Sequence, residues 1–243
     1  MAEPSASGNG HIEPVLEVDS YMLPNDEKEC DRLDMVHEMF LATTNRKLFL
    51  APIGPSPQRV LDLCTGTGIW AIQFGSCSNL PVIGNDLSPS QPTLCTKPGG
   101  WVEFQDWDPM IYSEDGSTKG TSIEQYYIHT LAAYEKAGYC ARVGPHLEEW
   151  FRQAGFVDIK VTKYRVPMGV WPKDKYYKTL GTWNLLQVEE AGFEAMAMAV
   201  LTRHENWSAD EVRVLAAKTL NDAKNRAIHG LFDFYIVYGR KPE

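Results

Sequence analysis

The sequence predicts an α/β fold of three layers, with a mostly parallel sheet between helices. Short apolar runs bounded by glycine or proline alternate with amphipathic stretches. A glycine-rich turn joins one apolar run to a helix, and an acidic residue ends the next run. With 44% hydrophobic and 23% charged residues, the 243-residue chain has the composition of a globular domain.

Charge and hydropathy exclude several functional classes. The net charge of −9 argues against binding to nucleic acid. The longest apolar run, residues 195–201, is far shorter than the roughly 20 residues of a membrane span. The first residues have no apolar signal sequence, and the five cysteines form no C-x-x-C pair, as is typical of reduced thiols. We therefore expect no membrane association and a cytoplasmic location.

The first half of the chain predicts a helix followed by three strands. Residues 1–20, rich in Ser, Gly, Pro and Glu, predict a disordered tail. Asn25 is a plausible N-cap for a helix with apolar residues spaced along one face. Apolar runs bounded by proline or glycine then predict strands over 59–64, 81–86 and 101–106. A short helix from Ile69 to about Gly75 is predicted between the first two strands.

The second half alternates helices and strands more clearly. Pro145 predicts the N1 position of a helix, and Gly155 predicts its end. Apolar and polar residues alternate over 157–162, which indicates a half-buried strand. Residues 208–211 form a capping box that opens another helix, and 231–238 are a final strand. This order of elements supports the α/β prediction.

The turn after the first strand has the spacing of a nucleotide site. Gly66 and Gly68 open a helix, where a ligand can approach the backbone closely, and Asp86 ends the next strand, where a carboxylate can accept ribose hydroxyls. Both NAD and S-adenosyl-L-methionine fit this pattern. Asp62, at the start of the turn, favours the cationic S-adenosyl-L-methionine over a pyrophosphate. Alternatively, the two glycines bind no ligand and only allow a tight turn between strand and helix.

Several segments of the chain match the sequence pattern of a known family. They are Tyr21–Asp26 with Glu29, Arg32, Leu33 and His37, then Val60–Ile72, Ile83–Pro92, Lys97–Phe104, Trp171–Lys175 and Asp233–Pro242. On these segments the chain resembles the fungal LaeA-like class I S-adenosyl-L-methionine-dependent methyltransferases over most of residues 21–243. In this family the loop usually reads D-x-G-x-G-x-G, and Cys64 replaces the first glycine here.

The resemblance implies a Rossmann-like class I methyltransferase fold in one domain, residues 21–243. Its parts would be an N-terminal helical lid over 21–50, a nucleotide-binding core over 57–108, a helical cap with sheet completion over 118–230, and a final strand over 231–240. Tyr21 and His37 would belong to the lid, or else only dock the first helix. The cofactor residues it implies are Asp62, Cys64, Thr65, Gly66, Gly68, Asp86 and Leu87.

One block of the family pattern is absent between Pro92 and Lys97. Only residues 87–100 separate the second and third predicted strands, and three of these residues are prolines. A single parallel crossover takes at least about 10–12 residues, so the usual third and fourth strands and their helices cannot fit. We therefore expect an uncovered sheet face, weakened cofactor binding, and a surface that could take a protein partner.

Residues just past the third predicted strand are candidates for acceptor chemistry, because ligands bind beyond the carboxyl ends of strands. Trp107 and Asp108 are the substrate-side candidates, and Asp106 and His129 are the catalytic candidates. The acidic group could instead be a solvated turn, and His129 a packing residue. The six histidines show no metal-binding spacing, so we expect no metal.

Three functions remain open from the sequence. The leading one is methylation of a small-molecule secondary metabolite. The second is a catalytically impaired methyltransferase-like regulator or scaffold of secondary metabolism, for which the resemblance implies the nucleus as an alternative location. The third is that the missing block reflects a skipped exon in the gene model.

Overall fold

The computed structural model describes residues 27–54, 57, 59–78, 82–85, 96–189 and 192–243. The predicted α/β class is confirmed, with seven helices and five strands in these ranges. In chain order they are α1 Glu27–Thr43, β1 Val60–Leu63, α2 Ile69–Ser78, β2 Val82–Asn85, β3 Trp101–Tyr112, α3 Ser122–Lys136, α4 Val143–Gln153, β4 Val157–Pro167, α5 Lys175–Glu189, α6 Gly192–His204, α7 Ala209–Lys224 and β5 Leu231–Arg240. Residues 1–26, which include the predicted tail, Asn25 and Tyr21, lie outside the described residues.

The described strands form two sheets. β1 and β2 pair in parallel, with α2 as the crossover between them. β5 lies between β3 and β4 and is antiparallel to both. The sheet therefore differs from the mostly parallel one expected, because two of the three described ladders are antiparallel. Parallel neighbours require long crossovers, and the 15 residues from Asp86 to Gly100 are too few to supply the missing ones.

Helices cover both faces of the three-stranded sheet. Side chains of β5 alternate between the faces, so that Val237 packs on Phe151 of α4. Ile236 points to the other face and packs in a cluster with Met39 of α1 and Leu180 of α5. The sheet is thus the middle layer of an α/β/α arrangement.

The remaining helices, α3, α6 and α7, pack against one another beside the sheet. Ser208 and Glu211 form the predicted capping box at the start of α7, which is confirmed. No helix in the described ranges is long and apolar enough to cross a bilayer. The largest fully buried side chains in the core cluster that these helices form are Ile123, Tyr126, Phe193, Val200, Leu201 and Val212.

Several element bounds differ from the sequence prediction. α4 begins at Val143, so Pro145 is its third residue and not the first. Proline is tolerated there because the first-turn N–H groups have no partner within the helix. β3 continues to Tyr112 and β4 to Pro167, since both pair with β5 over this length. Gly155 ends α4 in the left-handed region, as predicted.

Candidate active site

A cavity of about 1510 Å³ lies between β1 and β3. Residues 60–63 of β1 and 101–106 of β3 line it, together with parts of α1, the segment 47–54, the start of α2, and α4. Among the described residues β1 pairs only with β2, and β3 only with β5. The cavity therefore lies where a further strand would join the two sheets.

The segment 47–54 connects the two sides of this cavity. The carboxylate of Glu103 on β3 accepts hydrogen bonds from the backbone N–H groups of Leu50 at 2.8 Å and Ala51 at 2.5 Å. The carbonyl of Leu48 accepts a hydrogen bond of 2.9 Å from the indole of Trp70 on α2. Burial raises the pKa of Glu103, while these backbone hydrogen bonds oppose the shift. The segment is thus bound to both β3 and α2.

Glu103 is not among the site residues that the sequence predicts. Its carboxylate follows Val102 in a predicted strand, and a charged residue in such an apolar run signals a buried partner. The partners are backbone groups some 50 positions earlier, which only the fold identifies.

The loop between β1 and α2 exposes its backbone. Gly66 has φ +52° and Gly68 has φ +78°, values that favour glycine. A Cβ atom at Gly66 would meet only Leu33 of α1, at 3.7 Å, and one at Gly68 would meet nothing within 4 Å. Cys64 also has a positive φ, +58°, at the position where the family usually has glycine. A ligand can therefore approach this loop closely, although Cys64 is strained in it.

Two hydroxyl groups hold the loop in place. Thr65 donates a hydrogen bond of 2.7 Å from Oγ1 to Oδ2 of Asp62, and Asp62 lines the cavity. Thr67 donates one of 2.6 Å to Oδ1 of Asp34, which joins the loop to α1. The Asp62 carboxylate and the open backbone fit the cationic, amino-acid end of S-adenosyl-L-methionine. Asp86 and Leu87, expected to contact its adenosine end, lie outside the described residues.

The three candidates expected just past the third strand lie instead within β3, because its pairing with β5 continues to Tyr112, and their surroundings differ. Asp106 lines the cavity, and burial raises the pKa of its carboxyl, which accepts a hydrogen bond of 2.7 Å from the N–H of Trp107. Trp107 packs in the core, with its ring 5.5 Å from that of Phe40. Asp108 accepts two hydrogen bonds from Arg142, of 2.7 Å and 2.5 Å. Of the three, the structure brings only Asp106 to the cavity.

The two histidine candidates lie apart. His129 of α3 contacts Trp207, with ring centroids 5.1 Å apart, and does not line the cavity. His37 of α1 lines it and forms a hydrogen bond of 3.1 Å with Oε1 of Gln73 on α2. Across the described ranges, no group of three or more His, Cys, Asp and Glu residues is placed to hold a metal ion.

Comparison with known proteins identifies the family. No model of a protein family matches the chain. Methyltransferase pytC of Aspergillus terreus is 32% identical over 272 aligned positions, which cover 92% of this chain and 84% of pytC. The chain belongs to the LaeA-like family of fungal methyltransferases.

Other members of the LaeA-like family match at lower identity. Probable methyltransferase tdiE of Emericella nidulans is 28% identical, covering 88% of this chain and 82% of tdiE. Secondary metabolism regulator laeA of Aspergillus flavus is 28% identical, covering 99% of this chain and 78% of laeA. The family therefore includes proteins named as enzymes and proteins named as regulators.

The alignments show that this LaeA-like chain is shorter inside the matched region. The alignment with pytC has 272 positions, but 92% of 243 residues fills only about 224 of them. About 48 positions therefore have no counterpart here, and the same comparison with laeA leaves about 52. This deficit agrees with the internal block expected to be missing.

Solved structures match only distantly. Phosphoethanolamine N-methyltransferase 2 of Haemonchus contortus, solved with S-adenosyl-L-methionine, gives a TM-score of 0.42 at 15% identity. The match covers 93% of this chain, which spans about half (55%) of that structure's length. YjhP of E. coli gives a TM-score of 0.34 at 12% identity, covering 84% of this chain and 97% of YjhP.

Proposed function

We propose that this LaeA-like chain transfers a methyl group from S-adenosyl-L-methionine to a small-molecule acceptor of secondary metabolism. The observation that carries the proposal is that loop residues 62–67 and Asp106 line one cavity of about 1510 Å³. Pockets for one drug-sized ligand measure roughly 300–1,000 Å³. This cavity therefore has room for a donor and an acceptor together.

Methyl transfer asks the protein mainly to align the two reactants. The cofactor supplies a methyl carbon on a positively charged sulfur. In this chain Asp62 would hold the cationic end, and Gly66 and Gly68 would let it approach the backbone. Asp106 is the proposed hydrogen-bond acceptor for the O–H or N–H of the substrate. His129, which packs against Trp207 outside the cavity, has no role in this proposal.

Calorimetric titration with S-adenosylhomocysteine tests the proposal. Because the adenosine side has lost a block of the family fold, we expect weak binding, with a dissociation constant above about 10 µM. Asp62→Asn should weaken it by about tenfold, since a charged hydrogen-bond partner is lost. Asp31→Asn, an exposed change on α1, should leave it unchanged. Absence of binding at millimolar concentration would contradict the proposal.

A second candidate is a regulator or scaffold that acts through the uncovered sheet face. It is favoured by the exposed side chains of Leu61 and Ile83 and by relatives named as secondary metabolism regulators. The two candidates predict different genetics in the host. Asp62→Asn should weaken an enzymatic phenotype and leave a scaffolding one intact, whereas Ile83→Asp should do the reverse.

A third possibility concerns the gene itself. Sequencing the transcript across codons 92–97 shows whether the short form is expressed. A longer transcript would mean that the natural protein contains the missing block and has the complete family fold. A short transcript would mean that the natural protein has the open site between β1 and β3. We also propose a cytoplasmic location, with the nucleus as the alternative, which a fluorescent fusion can distinguish.

A further inference from the structure

We infer that the acceptor bound between β1 and β3 is a bulky, largely apolar molecule, neutral or positively charged, that presents an O–H or N–H group to Asp106. The inference rests on the proposed function for calling this molecule the methyl acceptor. Its binding, however, can be measured without any cofactor.

Aromatic and aliphatic side chains form two walls of the cavity. On the α4 side, Phe104 meets Phe151 edge to face, with centroids 5.9 Å apart, and Leu147 packs beside them. On the α2 side, Trp70 stacks with Phe74 at 5.0 Å. All five line the cavity. Walls of this kind favour a ligand with ring systems and little polar surface.

The two carboxylates of β3 in this cavity differ in their spare hydrogen-bonding capacity. Glu103 already accepts bonds from Leu50, Ala51 and the side-chain amide of Gln105. Asp106 accepts one bond from described residues, from the backbone N–H next to it. A carboxylate has about four lone-pair sites. Asp106 is therefore the group that can receive a donor from the ligand.

The charges of the cavity select against anionic acceptors. Asp62 and Asp106 are both partly buried, where an unlike charge is attracted and a like charge repelled more strongly than in water. The cationic residues that line the cavity, namely Lys47, Arg59 and Lys97, are exposed, so solvent screens them. An anionic acceptor therefore meets repulsion from the buried groups with little compensation.

Three naphthalene probes of one shape test this selection, titrated calorimetrically at pH 8 without cofactor. They are neutral 2-naphthol, the cation of 2-naphthylmethylamine, and anionic 2-naphthoate. We expect the naphthol and the amine to bind about tenfold or more tightly than the naphthoate. Asp106→Asn should weaken binding of the amine by about tenfold, because an attracting charge is lost. The same change should tighten binding of the naphthoate, because a repelling charge is lost.

Two further variants control for folding and for the place of binding. Asp210→Asn is the same change at an exposed position of α7 and should alter none of the three affinities. Val143→Trp narrows the cavity from α4 and should weaken all three probes, with folding checked by circular dichroism. Equal binding of all three probes, or an Asp106→Asn variant with the wild-type preference, would overturn the inference. If the probes behave as expected but S-adenosylhomocysteine does not bind, the proposed function fails and this site remains.

Discussion

Leu61 of β1 and Ile83 of β2 are paired on neighbouring parallel strands, and their side chains are 42% and 67% exposed. Parallel sheets are normally covered by helices on both faces, which keeps such apolar pairs from water. Within the described residues this apolar pair is thus exposed, as the short linker after β2 leads one to expect. Leu61 also lines the candidate site, so the exposed face adjoins the cavity.

This face should promote self-association without stabilising the fold. Ile83→Thr keeps a β-branched residue in β2, so the free energy of unfolding should change by less than about 0.5 kcal/mol. The matched change Ile236→Thr, in the buried core, should cost about 2 kcal/mol or more. Light scattering should show less self-association for Ile83→Thr. Unchanged self-association of Ile83→Thr would mean that the protein does not associate through this face.

The strained loop residue predicts a stabilising substitution. Cys64 occupies the left-handed region at φ +58°, which costs a residue with a Cβ atom about 1 kcal/mol. Cys64→Gly should therefore raise the free energy of unfolding by about 1 kcal/mol in urea denaturation. Cys77→Gly, within helix α2, should not stabilise the protein. A destabilised Cys64→Gly variant would show that the thiol contributes more than the strain costs.

Glu103 should matter for stability because it holds the segment 47–54 against β3. Glu103→Ala leaves the N–H groups of Leu50 and Ala51 without their carboxylate, which should cost about 2 kcal/mol. Glu149→Ala, an exposed change on α4, should stay within about 0.5 kcal/mol of the wild type. Denaturant unfolding monitored by tryptophan fluorescence measures both. Equal stabilities would mean that water replaces the carboxylate at no cost.

Two aspartates should affect the pH dependence of stability in opposite directions. Burial raises the pKa of Asp106 above its ordinary value of 3.8. Hydrogen bonds from Ser117 lower the pKa of Asp115 to about 2. The folded state therefore binds the proton of Asp106 more tightly, and that of Asp115 less tightly, than the unfolded state.

The same Asp→Asn change tests both signs in thermal unfolding between pH 2 and pH 7. Ionised Asp106 destabilises the fold as pH rises through its raised pKa. The stability of Asp106→Asn relative to the wild type should therefore increase from acid to neutral pH. Asp115 stabilises the fold above its ordinary pKa of 3.8. Asp115→Asn should therefore be less stable than the wild type at neutral pH, and its stability should approach that of the wild type as the pH falls to 2. Parallel pH profiles for the two variants would contradict this assignment.

Local sequence patterns were enough to predict most elements and the glycine-rich loop between β1 and α2. The capping box at Ser208, the glycine that ends α4, and the strand–turn–helix around Gly66 each depend on residues close in sequence. The short linker between β2 and β3 likewise predicted an uncovered face, because chain length limits what a crossover can contain. These features follow from local conformational preferences and chain length, so the sequence alone determined them.

Other features were decided only by the tertiary structure. Asp106 and Asp108 look alike in the sequence, but one faces the cavity and the other pairs with Arg142. Glu103 holds the segment 47–54 only because the backbone N–H groups of Leu50 and Ala51, about 50 positions earlier in the sequence, donate hydrogen bonds to it. The role of a carboxylate depends on which partners and how much solvent surround it. Those neighbours come from distant parts of the chain, and only the packed fold brings them together.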